Sequence, residues 1–123
     1  MPWSLDARIP VIPLGEHAAL EEALADGGPA ALLAEAPPPP LPAGTVALAS
    51  FDPFLPSHAA ACACCGGRPP AAAALDRLFQ ARVRGRCGWF NRVLVLAGTD
   101  AARAQVAAAL REDAVTAARF RAG

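Results

Sequence analysis

Three thiols fall within four residues, at Cys62, Cys64 and Cys65, and Gly66-Gly67 follows them directly. Adjacent cysteines bridge badly, and a chain kept in a reducing compartment would not pair them. The pattern is therefore not a disulfide framework. Clustered thiolates do suit a soft or borderline cation, and Zn²⁺ takes sulfur at about 2.3 Å in tetrahedral geometry. The glycine pair lets the backbone curl so that neighbouring sulfurs converge. Cys-x-Cys-Cys leaves one coordination position to fill. His58, Cys87, a carboxylate such as Glu35 or Asp52, and water are the candidates for it. An open fourth position suits exchange or transfer of the ion, whereas a closed Cys₄ or Cys₃His set suits a structural role. The competing chemistry is redox, because clustered thiols of depressed pKa are also nucleophiles. The remaining histidine, His17, falls on the first helix and is expected at the surface.

What the chain lacks narrows the chemistry further. All 11 basic residues are arginine, so a P-loop lysine, a Schiff-base lysine and a lysine general base are all excluded. With 123 residues, 54% of them apolar, the chain fits one domain over residues 1–123. Alanine supplies much of that apolar content. Aromatics make up only 6%, without a tyrosine, so the core is expected to be thin. No apolar run reaches the ~18 residues of a membrane span, and Met1-Pro-Trp-Ser-Leu-Asp6 does not read as a secretory signal. A cytoplasmic protein without a membrane partner is expected.

Charge is divided unevenly although the net charge is zero. Residues 1–65 carry Arg8 against seven acids, while residues 66–123 carry ten arginines against four acids. Complementary halves of one fold account for this. A nucleic-acid partner is not expected, since the aromatic–basic interleaving of RNA-binding segments is missing. A protein partner remains open.

The elements that must position the thiols follow from local pattern. Arg8-Ile-Pro-Val-Ile-Pro-Leu14 reads as a strand placed at an edge or irregular, because proline cannot donate to a ladder. Glu16 to about Ala25 reads as a helix, with Leu20 and Leu24 on one face, and Gly27-Gly28-Pro29 stops it. Ala30–Ala34 and Thr45–Ala49 are short strands, separated by a stiff, extended proline-rich linker at 36–44. Residues 50–61 read as an irregular loop leading into the cysteines. A helix over 70–84 has Pro69-Pro70 at its start, an apolar stripe of Leu75, Leu78, Phe79 and Val83, and Gly85 as its stop. Residues 90–97 form the clearest strand, and its unbroken Val/Leu run implies burial on both faces in a parallel sheet. Gly98-Thr99-Asp100 turns and caps a helix over 101–111, and 114–121 reads as a terminal helix. The fold class is a small three-layer α/β unit, with a mostly parallel sheet of about four strands flanked by helices.

The Cys62-Ala-Cys64-Cys65 triplet, followed by an arginine and a leucine-bearing helix, resembles the zinc-binding motif of the CobW-type metallochaperone GTPases, the class that also holds HypB and UreG. Phe90-Asn-Arg-Val-Leu-Val-Leu-Ala-Gly-Thr-Asp100, Val106–Val115 and Ala117–Arg121 resemble a strand and helices of that family. Ile9–Gly15 resembles its first strand and the approach to its P-loop. The likeness implies a truncated P-loop NTPase-like fold and zinc at the triplet. The nucleotide machinery is degenerate, however. Gly15-Glu-His-Ala-Ala-Leu20 has no lysine and no hydroxyl, and it places an acid where phosphate would sit. Leu96 stands where the family has its acid, and the guanine-reading segment is missing. Glu35 resembles the acid of the family's Asn-Glu-Phe-Gly switch.

The resulting expectation is a zinc-binding, non-hydrolytic CobW-like protein of metal homeostasis or handling, not an enzyme and without a nucleotide. Its metal set is Cys62, Cys64 and Cys65 with His58 or Cys87. The alternatives are a protein-interaction module with structural zinc and a residual GTP-binding metallochaperone.

Overall fold

A computed structural model describes residues 7–14, 17–25, 27–55 and 68–123. The described chain forms, in order, β1 (Ile9–Leu14), α1 (His17–Ala25), β2 (Ala30–Glu35), β3 (Thr45–Phe51), α2 (Pro70–Val83), β4 (Arg92–Leu96), α3 (Asp100–Glu112), α4 (Ala114–Arg119) and β5 (Phe120–Ala122). All five strands run parallel, in the order β3-β2-β4-β1-β5. The α/β class is as the sequence implies, with five strands where about four were expected.

β4 lies at the centre of the sheet, with Val93, Leu94, Val95 and Leu96 all buried, as its unbroken apolar run requires. One face packs Val11, Leu33, Phe51, Val93 and Val95 under α2 and α3. The other packs Leu32, Leu94 and Leu96 under Leu20 of α1. Connections running toward the β3 edge cross on the α1 face, and those running toward β5 cross on the α2–α4 face. A single right-handed sense of crossover demands that division. Among the described residues no helix is long and apolar enough to cross a membrane.

Parallel neighbours ordinarily need a dozen or more residues of crossover, usually helical. Here nine residues, 36–44, join β2 to β3. Their prolines favour the extended polyproline II backbone, which advances about 3.1 Å per residue and lets so short a linker run back along a strand of about 20 Å. The linker at 36–44 is thus a strap across the sheet. Gly44, with φ +94, turns it against Leu24 of α1. Thr45 closes it, with its N–H and Oγ1 both donating to the Pro42 carbonyl.

Two expectations need correction. The segment at 8–14 is an inner strand, not an edge strand, because β4 and β5 pair on its two sides. β5, however, reaches only Ile9–Val11. The Gly123 N–H donates to the Val11 carbonyl, so by alternation Pro13 faces the β5 side, beyond the last β5 partner. Its missing donor is harmless there. The second correction is at the C-terminus, where helix α4 ends at Arg119 and residues 120–122 form β5. Asp113, not a longer helix, sets this geometry: its side chain caps α4 by accepting from the Thr116 N–H, and seven residues later Phe120 enters the core.

Candidate functional site

Cys62, Cys64, Cys65 and His58 lie outside the described residues, as do Gly15 and Glu16. What the structure gives is the frame on both sides of the cysteine-bearing segment. β3 delivers the chain to Phe51 at the C-terminal edge of the sheet, and α2 starts from that same edge at Pro70. Asp52 begins the departure with a tight turn, its Oδ1 accepting the Phe54 N–H at 2.9 Å while the Leu55 N–H donates to its carbonyl.

One side chain of α3 ties the two ends together. Gln105 Oε1 accepts the Ala71 N–H at 2.8 Å, satisfying an otherwise partnerless amide of α2's first turn. Its Nε2 donates to the Pro53 carbonyl at 3.1 Å. The two stems of the segment are therefore held by a single amide. No local pattern marks Gln105, because its partners are 34 and 52 residues away.

Arg68 fixes the exit. Its Nε and Nη2 bind the two carboxylate oxygens of Asp113 at 3.3 and 2.8 Å, a bidentate pair. Nη2 also donates to Thr116 Oγ1, and Nη1 lies 3.7 Å from Asp76. Asp76 in turn pairs with Arg119, whose guanidinium lies 4.2 Å from the centre of the Phe79 ring. The network joins the segment's exit to α2 and α4.

Burial pushes the Asp113 carboxyl up, but hydrogen bonds from the Thr116 side chain and backbone and from Arg68, with the Arg68 charge, outweigh it and hold the pKa below the ordinary value. A carboxyl depressed in the folded state stabilises the fold above its unfolded pKa, near 3.9, and that contribution disappears as pH falls through the folded value. Urea unfolding followed from pH 7 to pH 2.5 should show an acid limb below about pH 4. The limb should be shallower in Asp113→Asn. An unchanged limb in that variant would show that the carboxylate gains nothing from its partners.

The other predicted ligands are accounted for as follows. Glu35, at the end of β2, is fully engaged: Oε1 accepts the Gly98 and Thr99 N–H groups at 2.9 and 3.0 Å, and Oε2 accepts Thr99 Oγ1 at 2.9 Å. Thr99 in turn caps α3 through the Ala102 N–H, as predicted. Glu35 thus latches β2 to the β4–α3 turn. Cys87 is a free, half-buried thiol after α2, packed against the core. It lies beyond the full 14-residue helix from Pro70, about 21 Å at 1.5 Å per residue, near the edge where β4 begins. Among the described residues no group of three or more His, Cys, Asp or Glu is placed to hold a metal ion.

A cleft of about 560 Å³ opens at the C-terminal ends of β1, β2 and β4, walled by Leu14, Glu35, the prolines 37–39, Leu96 and Thr99. It stands where neighbouring strands β1 and β4 send their chains to opposite faces of the sheet, the switch point at which open α/β sheets bind ligands. Its polar wall is the Glu35 carboxylate and the amides it covers, and Leu96 presents an apolar side chain there. Compared with known protein families, curated proteins and solved structures, the chain matches none.

Proposed function

We propose that this chain is a zinc-binding, non-hydrolytic protein of metal handling, with Cys62, Cys64 and Cys65 as ligands. The observation that supports this most is the clamp on the residues flanking the cysteine-bearing segment: Gln105 and Arg68 hold both of its stems at the edge of the sheet where α/β folds present their ligand-binding loops. Fixing both ends of a segment lowers the ordering cost of bringing three sulfurs to one ion. The separation between Cys87 and that edge favours His58 as the fourth donor. The engagement of both Glu35 oxygens argues against that carboxylate as a ligand. The same engagement weighs against a nucleotide, because a carboxylate already occupies the amides that open α3 and the chain has no lysine.

Native mass spectrometry of protein purified without chelator or affinity tag should find one Zn²⁺ per chain. The Cys62→Ser/Cys64→Ser/Cys65→Ser variant should lose it, His58→Ala should weaken it by 10-fold or more, and Cys87→Ser should leave it in place. Retention of zinc by the triple variant ends the proposal. Circular dichroism of the chelated protein separates handling from a structural role, since an apo form that stays folded supports handling.

A further inference from the structure

The opposite edge of the sheet carries a second feature, independent of any metal. Residues 77–92 contain five arginines and no acid, and among the described residues none of the five meets a carboxylate. Arg77 and Arg92 donate to backbone carbonyls, of Ser50 and of Ala23 and Gly28. Arg82 donates Nε to the Phe90 carbonyl at 2.8 Å, and its guanidinium lies 3.6 Å from the centre of the Trp89 ring and 5.5 Å from that of Phe90. Phe90 is fully buried, whereas Trp89 is 58% exposed. The indole is therefore a platform seated on a fixed cation and anchored through its neighbour. Arg84 and Arg86, on the same short loop, are exposed and, among the described residues, without a partner.

The loop holding these groups is itself well defined. Gly85 takes φ +69, the Arg86 N–H donates to the Ala81 carbonyl and the Gly85 N–H to the Arg82 carbonyl. Those two bonds are the Schellman closure of a helix C-terminus, and they fix Arg84 and Arg86 on either side of the left-handed glycine. Val83, half exposed, completes the last turn of α2. Exposed tryptophan and arginine on a rigid frame are the residue types that dominate binding energy at protein interfaces.

We infer that this surface docks an acidic protein segment carrying an aliphatic side chain, its carboxylates on Arg84 and Arg86 and its apolar group on the open face of Trp89. Charge complementarity selects the acid, and the exposed indole selects the apolar group. A nucleic-acid strand fits less well. A chain of zero net charge gives a polyanion no long-range attraction, and a single exposed ring cannot stack successive bases.

The test uses the full chain with Trp3→Phe, so that indole emission reports Trp89 alone. The probes are a blocked hexapeptide alternating glutamate and leucine, a blocked hexaglutamate, and hexathymidylate, titrated at low salt. The Glu–Leu peptide should bind tightest and shift the emission. By calorimetry, Arg84→Ala/Arg86→Ala should weaken it by roughly threefold to tenfold and Trp89→Ala by about tenfold. Equal or tighter binding of hexaglutamate, or indifference to both variants, overturns the proposal. Tighter binding of hexathymidylate overturns it in favour of a nucleic-acid surface. Arg84 and Arg86 are exposed and have no side-chain partner among the described residues, so that variant remains interpretable even if Trp89→Ala perturbs folding.

Discussion

Phe120→Ala is expected to destabilise the protein by about 3–5 kcal/mol, the range for truncating a buried phenylalanine. Phe120 is 1% exposed, packs edge-on against Phe79 with ring centres 6.1 Å apart, and pairs through its backbone with Ile9 of β1. Its removal leaves a cavity where α2, α4 and β5 meet. Small domains have only about 5–15 kcal/mol in total, so the melting temperature should fall on the order of 10–20 °C. Thermal unfolding followed by circular dichroism measures this directly. Phe120→Leu should retain most of the stability, because the volume is nearly kept. A shift of only a few degrees in Phe120→Ala would mean that β5 is not docked as described.

The second large effect belongs to Arg68→Met. The side chain keeps its apolar stem but abandons Asp113, whose carboxylate is 18% exposed and would be left with Thr116 alone. Breaking a fully buried pair costs about 3–5 kcal/mol. The residual exposure of both partners reduces that to about 2 kcal/mol. Asp76 retains Arg119 and is not orphaned. Because the harm comes from the stranded carboxylate, Asp113→Asn should restore part of the loss in the double variant, a coupling measurable in a four-protein cycle of urea midpoints. Under the proposed function, zinc affinity should also fall severalfold in Arg68→Met, since the exit of the cysteine segment loses its tether. Unchanged affinity alongside lowered stability would separate the network from the metal.

Both predictions rest on contacts that local pattern does not reveal. β4 was legible because a buried strand needs an unbroken apolar run, and α2 and α3 because proline and threonine mark their starts. β5 was not legible. Three residues after a helix have no periodicity of their own, and only pairing with Ile9–Val11, more than 100 residues away, makes them a strand. Prolines 10 and 13 argued for an edge, and the shortness of β5 is what allows Pro13 inside. The thiol cluster is plain in the sequence, but its support is not: Gln105 is an ordinary helix residue until the fold places it between Pro53 and Ala71. Glu35 was recognisable as an acid after a strand, yet its role as a latch depends on the turn at Gly98-Thr99. The Arg82–Trp89 stack escaped for a similar reason, since the glycine-closed loop folds back across six intervening positions.

The strand order also bears on synthesis. β1 and β2 are made first, but they do not touch as neighbours, because β4 wedges between them. A nascent chain that has not yet extruded residues 92–96 can assemble only the β2–β3 ribbon, with β1 stranded outside it. The early portion of the polypeptide therefore cannot complete its sheet before residues 92–96 are available, and Val11, Leu32 and Leu33 lack their β4 neighbours until then.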